Sequence, residues 1–363
     1  MTNPPPLRAQ HILSFAQSLR GGGVERALLR LAGGWIERGR RVTLLVGDAE
    51  GPLADELPDG LTLRQGGGGG YPALAAAAAK AVREQSPDLI FCPGNHYSGI
   101  ALAARPFAGA PIVAKLSNAL AGTHSGLTGW GYARWLALHP RFIDHLVAMT
   151  PAMAHEAGTW MHLPANRLSV IPNPPALARP GAPPVPLPPG RFILGVGRLA
   201  PQKRWDRLIA ATARLPANVS LLILGEGPLR PALETQVATL GLTGRVALPG
   251  HAADPLPAMA RASVVALTSD FEGVPGAIRE ALGQGTPVVS TDSSVAIPEL
   301  IDSPARGTIV GRDDMAALVA ALNHWLAPGA VRPPAQTASG DPVSDYLALF
   351  DRLVSAARRG GRR

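Results

Sequence analysis

The chain has 363 residues, 46% hydrophobic and 17% charged, with a formal net charge of +8 and a single cysteine, Cys92. That length exceeds what one hydrophobic core fills, so two domains are expected, and the composition excludes a disordered chain. One cysteine excludes an intramolecular disulfide and a cysteine-based zinc site, which points to a reducing cytoplasm. No apolar run reaches the roughly 18 residues of a membrane span, and the N-terminus lacks the regions of a secretion signal. Arginine outnumbers lysine 31 to three, and the basic balance favours anionic partners.

Along the first half, strand-like and helix-like patterns alternate. Residues 11–16 and 41–46 read as buried strands. Between them, Val24, Ala27, Leu28, Leu31, Ala32, Trp35 and Ile36 recur at the spacing of an amphipathic helix. Strand, Gly-rich turn, helix and strand make a βαβ unit, and hence a parallel sheet. Further strands are expected at 61–64, 88–92, 111–116, 144–149 and 168–171, with Cys92 as buried filler. Gly66 to Gly70, five glycines in a row, read as a mobile surface loop before an Ala-rich helix at 71–83. Residues 174–190 hold eight prolines and cannot form a helix or a central strand. They are expected to be a semi-rigid linker after a first domain at 1–173.

A second βα series follows, giving a donor-side domain at 191–340. Strands are expected at 192–196, 219–224, 245–248, 263–268 and 288–291, and helices at 206–215, 229–240, 275–283 and 313–326. A last helix at 341–357 places Tyr346, Leu349, Phe350 and Leu353 on one face, suited to packing back on the first domain. The tail from Arg358 to Arg363 reads as a disordered basic end able to touch an anionic bilayer.

The chemistry concentrates between two of these strands, at Glu272-Gly273-Val274-Pro275-Gly276-Ala277-Ile278-Arg279-Glu280. A loop turns into a helix there, at the carboxyl end of a strand, which is where open α/β sheets bind ligands. Pro275 suits the first helical turn, and the amides of Gly276 and Ala277 form an anion-attracting nest. Glu272 in the loop and Glu280 on the helix are acceptors for hydroxyls. Carboxylates beside such amides suit a ligand carrying both sugar and phosphate, as a nucleotide sugar does.

With the following Gly285-Thr286-Pro287-Val288-Val289, this segment resembles the donor-site motif of family 4 glycosyltransferases. Gly197-Arg198-Leu199-Ala200-Pro201-Gln202-Lys203 is similar to that family's Gly-Arg-Leu-x-x-x-Lys, whose Arg and Lys bind the donor diphosphate. Gly21-Gly22-Gly23-Val24-Glu25-Arg26 resembles its Gly-Gly-x-Glu-Arg element, with Gly22 and Gly23 close to phosphate and Glu25 and Arg26 paired at the helix start. It lacks the Gly-Lys-Ser/Thr of a nucleoside-triphosphate loop. Residues 222–228 and 246–251 resemble two further strand-end segments, the second placing His251 by the nucleobase. Residues 170–173 resemble the Ile-Pro-Asn close of the first domain. The acceptor side departs from the pattern. Ser117-Asn118 stands where many relatives carry a histidine, leaving His96, Lys115, Asn118 and His124 as acceptor-side candidates, with Lys115 facing either a phosphorylated acceptor or a solvent-facing carboxylate.

The resemblance implies an α/β protein of the GT-B fold: two doubly wound Rossmann-like domains facing a central cleft, with the C-terminal helix crossing back to the first. It implies a retaining hexosyltransferase moving a sugar from a UDP- or GDP-sugar to a hydroxyl acceptor in lipopolysaccharide, capsule or exopolysaccharide synthesis. Arg198, Lys203 and Glu272 are then the catalytic set, and Gly22, Gly23, Gly276, Ala277, Glu280 and His251 complete donor binding. No metal and no cofactor are expected. The expected partners are a nucleotide sugar, a glycan or lipid-linked acceptor and an anionic membrane face, but no nucleic acid. The expected location is the cytoplasm, at the inner membrane face when docked, as a monomer or weak dimer. The alternatives are a nucleotide-sugar 2-epimerase on the same fold and a non-catalytic anion-binding protein.

Overall fold

The computed structural model describes residues 8–66, 68, 70–120, 126–176, 178–179, 181–337 and 340–360. The chain divides into two compact units: residues up to Pro174 together with those from Gly340, and Pro175–Ser339. Among the described residues no helix is long and apolar enough to cross a membrane.

The first unit runs β1 (His11–Ser18), α1 (Gly23–Glu37), β2 (Arg41–Asp48), β3 (Thr62–Gln65), α2 (Tyr71–Gln85), β4 (Leu89–Cys92), α3 (Ser98–Ala104), β5 (Ile112–Lys115), α4 (Gly126–Leu138), β6 (His145–Ala148), α5 (Pro151–Met161) and β7 (Leu168–Val170). Its seven strands are parallel, in the order β3-β2-β1-β4-β5-β6-β7. The central strands are unbroken apolar runs because helices cover both faces. Leu28, Leu31 and Trp35 of α1 pack on the sheet, as the periodicity predicts.

The second unit runs β8 (Arg191–Val196), α6 (Trp205–Thr212), β9 (Val219–Leu224), α7 (Arg230–Thr239), β10 (Val246–Gly250), α8 (Leu256–Arg261), β11 (Val264–Leu267), α9 (Gly276–Gly283), β12 (Val288–Thr291), α10 (Ile297–Leu300), β13 (Gly307–Val310) and α11 (Met315–Leu326). Its six parallel strands are ordered β10-β9-β8-β11-β12-β13. The edge strand β13 goes beyond the expected set, since Gly307 to Val310 is too short a run to stand out. No helix or strand lies between Pro175 and Gly190 among the described residues.

The chain then returns to the first unit as α12 (Pro342–Gly360). Tyr346 and Phe350 are buried against Trp35, with ring centroids 5.9 and 5.2 Å from it. Asp351 fixes the helix from its polar side, accepting from Arg40 at 2.7 Å and from the Ala9 amide at 2.8 Å. The expectation of a disordered tail from Arg358 is corrected: Arg358 and Arg359 continue α12, and Arg358 pairs with Asp88 at 2.5 Å. Residues 361–363 of that tail, and Gly67 and Gly69 of the glycine run, lie outside the described residues. Cys92 is fully buried in β4, and burial pushes its thiol up to about 12.

Candidate active site

In each sheet the strand order reverses at one pair of strands, and the carboxyl edge beside such a pair is where open α/β sheets bind ligands. In the second unit the pair is β8 and β11. The loop after β8 carries Gly197 to Lys203, and the loop after β11 carries Thr268 to Pro275. Lys203 and Glu272 meet there, Nζ to Oε1 at 2.5 Å, with side chains 17% and 8% exposed. Ser269 Oγ donates to the same Oε1 at 2.6 Å, and the Glu272 amide donates to the Ser293 carbonyl at 2.8 Å. In so little water, each charge holds the other's direction strongly.

Arg198 is exposed, and its guanidinium makes no hydrogen bond or ion pair among the described residues. Its backbone carbonyl accepts from Trp205 Nε1 at 2.9 Å, so the loop is fixed while the charge is left open. Glycine spacing allows the next loop to lie directly against it. A Cβ at Gly225 would overlap the Gly197 carbonyl, and one at Gly227 would overlap Leu199. Between them, Glu226 bonds Arg230 at 2.5 and 2.9 Å, and that guanidinium holds its carboxyl below the usual carboxylate value. His251 follows β10 and is exposed.

Pro275 stands one residue earlier than expected. It precedes the helix in an extended conformation, φ −66° and ψ 116°, and α9 starts at Gly276. The first amides of a helix have no partner within it. Gly276 is exposed and Ala277 half-buried. Glu280 lies one turn on, its Oε1 3.7 Å from where a Cβ on Gly276 would stand. The second unit therefore gathers Lys203, Glu272 and Ser269 in one network, and Gly276 with Glu280 at the start of α9.

In the first unit the corresponding pair is β1 and β4. Glu25, at the start of α1, accepts from the Tyr97 hydroxyl at 2.7 Å, and His96 Nε2 lies 3.8 Å from it. Burial raises the Glu25 carboxyl, but the nearby His96 imidazole and the hydrogen bond from Tyr97 outweigh it and leave the group below its ordinary value. The Tyr97 hydroxyl also accepts from the Gln17 amide at 2.8 Å, and the Tyr71 hydroxyl donates to the His96 carbonyl. The expected Glu25–Arg26 pair is corrected, since Arg26 points instead to Glu56 at 3.2 Å. A Cβ on Gly22 would overlap the Glu25 carboxylate, whereas Gly23 is exposed with nothing near it.

Beside them Asn95 ties two loops together. Its Oδ1 accepts from the Ser117 amide at 2.6 Å and the Asn118 amide at 3.1 Å, and its Nδ2 donates to the Asn118 carbonyl at 3.1 Å. Lys115 is 2% exposed and donates to Asn173, which corrects the expectation of a solvent-facing environment. His124 lies outside the described residues. Among those described, no group of three His, Cys, Asp or Glu side chains is arranged to hold a metal ion. Ser269 and Tyr97 were not singled out by sequence; each stands within three residues of one that was.

The comparisons with known proteins bear on the family and the fold. Residues 22–174 match the glycosyl transferase 4-like domain, and residues 190–327 match glycosyl transferases group 1. A segment of 136 residues is 35% identical to N-acetylgalactosamine-N,N'-diacetylbacillosaminyl-diphospho-undecaprenol 4-alpha-N-acetylgalactosaminyltransferase of Campylobacter jejuni, covering 38% of this chain and 37% of that protein. Another of 101 residues is 40% identical to the lipopolysaccharide core biosynthesis glycosyltransferase LpsE of Rhizobium meliloti, covering 28% and 29%. These matches thus span well under half of either relative. Among solved structures, Anabaena HepE in complex with UDP and glucose superimposes with a TM-score of 0.71 at 24% identity, over 96% of this chain and 95% of that one. WaaG, a glycosyltransferase involved in lipopolysaccharide biosynthesis, gives 0.69 at 18%, over 96% and 98%. With both halves matched in sequence and nearly the whole chain in fold, the protein belongs to the group 1, family 4-type glycosyltransferases of the GT-B fold.

Proposed function

We propose that this protein transfers a sugar from a nucleotide diphosphate donor to a hydroxyl acceptor, with retention at the anomeric carbon, in the synthesis of a surface polysaccharide. The observation that carries this reading is the Lys203–Glu272 pair at the edge between β8 and β11, beside the start of α9 and the open cation of Arg198. HepE was solved with UDP and with UDP-glucose, which favours a uridine donor among the candidates. The Campylobacter relative's name states an undecaprenol diphosphate substrate, which favours a lipid-linked acceptor.

As the bond from the anomeric carbon to the diphosphate breaks, negative charge gathers on the leaving oxygen. Arg198 and Lys203 stabilise it with charge already in place. Glu272 orients Lys203 and accepts from sugar hydroxyls, Glu280 accepts from the ribose, the Gly276 and Ala277 amides take the sugar's oxygens, and His251 stands by the base. The acceptor oxygen attacks from the face the diphosphate leaves, and its proton passes to a phosphate oxygen. In the first unit His96, Asn118 and the Gly23 amide are offered to acceptor or phosphate oxygens. A thermal-shift panel of UDP-, GDP- and ADP-sugars tests the donor: one base is expected to raise the melting temperature by mass action. No shift with any of them would remove the reading. Product appearing without acceptor would turn it to an epimerase.

An anionic bilayer, at the inner face of the membrane, is the docking partner that the surface of α4 favours. Trp130 (64% exposed) carries Arg134 stacked 5.0 Å over its ring, and Leu138 (40% exposed) follows at the same spacing. Aromatic and basic side chains along one helical stripe suit the lipid headgroup layer. Sedimentation with phosphatidylglycerol vesicles, but not with phosphatidylcholine, is expected and should be lost in Trp130→Ser/Leu138→Ser. Equal sedimentation of that variant would sink the assignment.

A further inference from the structure

Arg204, directly after Lys203, holds a left-handed backbone, φ 49° and ψ 44°. Only two other described non-glycine residues have positive φ, Ser86 and His162, and both simply close a helix. Arg204 does both: it closes the single 3-10 turn Pro201–Lys203, its amide donating to the Pro201 carbonyl at 3.2 Å, and opens α6 at the point where the site loop ends. A side chain in that region is unfavourable unless its surroundings impose it.

The surroundings here are specific. The Arg204 guanidinium bonds Asp206 at 3.0 Å through both Nε and Nη2, and reaches Asp270 at 3.3 and 3.4 Å. Its carbonyl accepts from Thr268 Oγ1 at 2.9 Å, and the same hydroxyl reaches the Lys203 carbonyl at 3.3 Å. Asp270 binds this segment a second way, its amide donating to the Gln202 carbonyl at 2.9 Å. It also accepts from Arg207 at 2.6 Å, and Gln202 Nε2 donates to the Phe271 carbonyl at 2.6 Å. Asp270 lies two residues before Glu272 on one loop, and Arg204 directly follows Lys203 on the other.

We propose that Asp270, acting through Arg204, is a positioning residue for Lys203 and Glu272. Its carboxylate holds the backbone at residue 204 left-handed, and that bend aims the Lys203 ammonium at Glu272. Asp270 touches no substrate in this account. The inference rests on the reading of Lys203 as a phosphate ligand for its consequence in catalysis, but the geometry it asserts is measurable without any donor.

The chain has only three lysines, Lys80, Lys115 and Lys203, so reductive methylation with ¹³C-formaldehyde gives few dimethyl-lysine NMR signals while keeping the charge. Lys203→Arg assigns the signal. In Asp270→Asn the Lys203 resonance is expected to move toward that of Lys80, which is 74% exposed. Glycine takes the left-handed conformation unaided, so Arg204→Gly is expected to leave the resonance near its original place. Adding Asp270→Asn in the Arg204→Gly background should then shift it less than half as far as in the native background. An unmoved resonance in Asp270→Asn, or equal shifts in both backgrounds, overturns the proposal. If Asp270→Asn does not fold, Arg204→Gly decides alone, and a resonance displaced to the Lys80 position overturns it. A moved resonance with unchanged sugar transfer would leave the positioning intact and break the catalytic reading of Lys203 instead.

Discussion

At the edge between β8 and β11, an ammonium and a carboxylate stand 2.5 Å apart beside an exposed guanidinium. At the edge between β1 and β4, a carboxylate is closed in by the Tyr97 phenol, a histidine and the glycine turn beneath it. The strand wiring around the two edges is alike. In the first unit the protein's own anion, Glu25, fills the space over Gly22 and leaves only Gly23 exposed. In the second unit the positive groups lead and the start of α9 is left open. Wiring alone therefore makes a crevice, and the side chains on its two loops decide whether it is filled by the chain or kept for a ligand.

The contrast can be broken most sharply through the cations. Arg198→Ala/Lys203→Ala should lower kcat/KM for sugar transfer by at least about 10³-fold, roughly 4 kcal/mol of transition-state stabilisation, and should also lower the melting temperature, since the buried Glu272 carboxylate loses its ammonium. Transfer at the native rate would end the comparison, since the second edge would then be no more reactive than the first. The next effect lies in the backbone beneath that edge. Gly225→Ala puts a methyl into the Gly197 carbonyl and should cost about 3 kcal/mol in urea unfolding. A loss under 1 kcal/mol would mean that the loops are not held in contact.

Glu25→Gln probes the other edge. It leaves the buried Tyr97 hydroxyl without its charged acceptor and should cost about 1–3 kcal/mol of stability, while the melting-temperature rise given by the donor stays unchanged. A lost donor response would show that Glu25 serves the nucleotide rather than the fold. Finally, His145 on β6 gives the first unit a pH signature. Burial, with Arg352 and Arg167 nearby, lowers its pKa to about 4, against about 6.5 in an unfolded chain. Because the unfolded state takes up the proton first, its contribution is present above pH 6.5 and is lost as pH falls toward 4. Between pH 7 and 4.5 the native protein should lose about 2 kcal/mol more than His145→Gln, read from urea midpoints. Equal losses would show that the imidazole is protonated as readily in the fold as outside it.

The elements that could be read directly were those with a strong local pattern: the apolar runs of β1, β2, β9 and β12, the stripe of α1 and the apolar face of α12. The short α3, α8 and α10, and the Gly- and Trp-rich α4, carry weak periodicity and gained their form from packing. The site was half legible. Arg198, Lys203, Glu272 and Glu280 stand out because charge is sparse in this chain and each follows a strand or opens a helix. Ser269, Arg204 and Asp270 do not, since their roles exist only where two loops meet.

The sequence by itself determined two successive βα series, the parallel sheets they imply and the loops that carry charge, because hydrophobic period and turn chemistry act over a few neighbouring residues. Only the tertiary structure decided that Lys203 bonds Glu272, 69 residues away, that Glu25 turns to Tyr97 rather than Arg26, and that Lys115 is buried against Asn173. Those choices depend on which strands lie side by side, and strand order is set by the packing of whole layers rather than by any local run of residues.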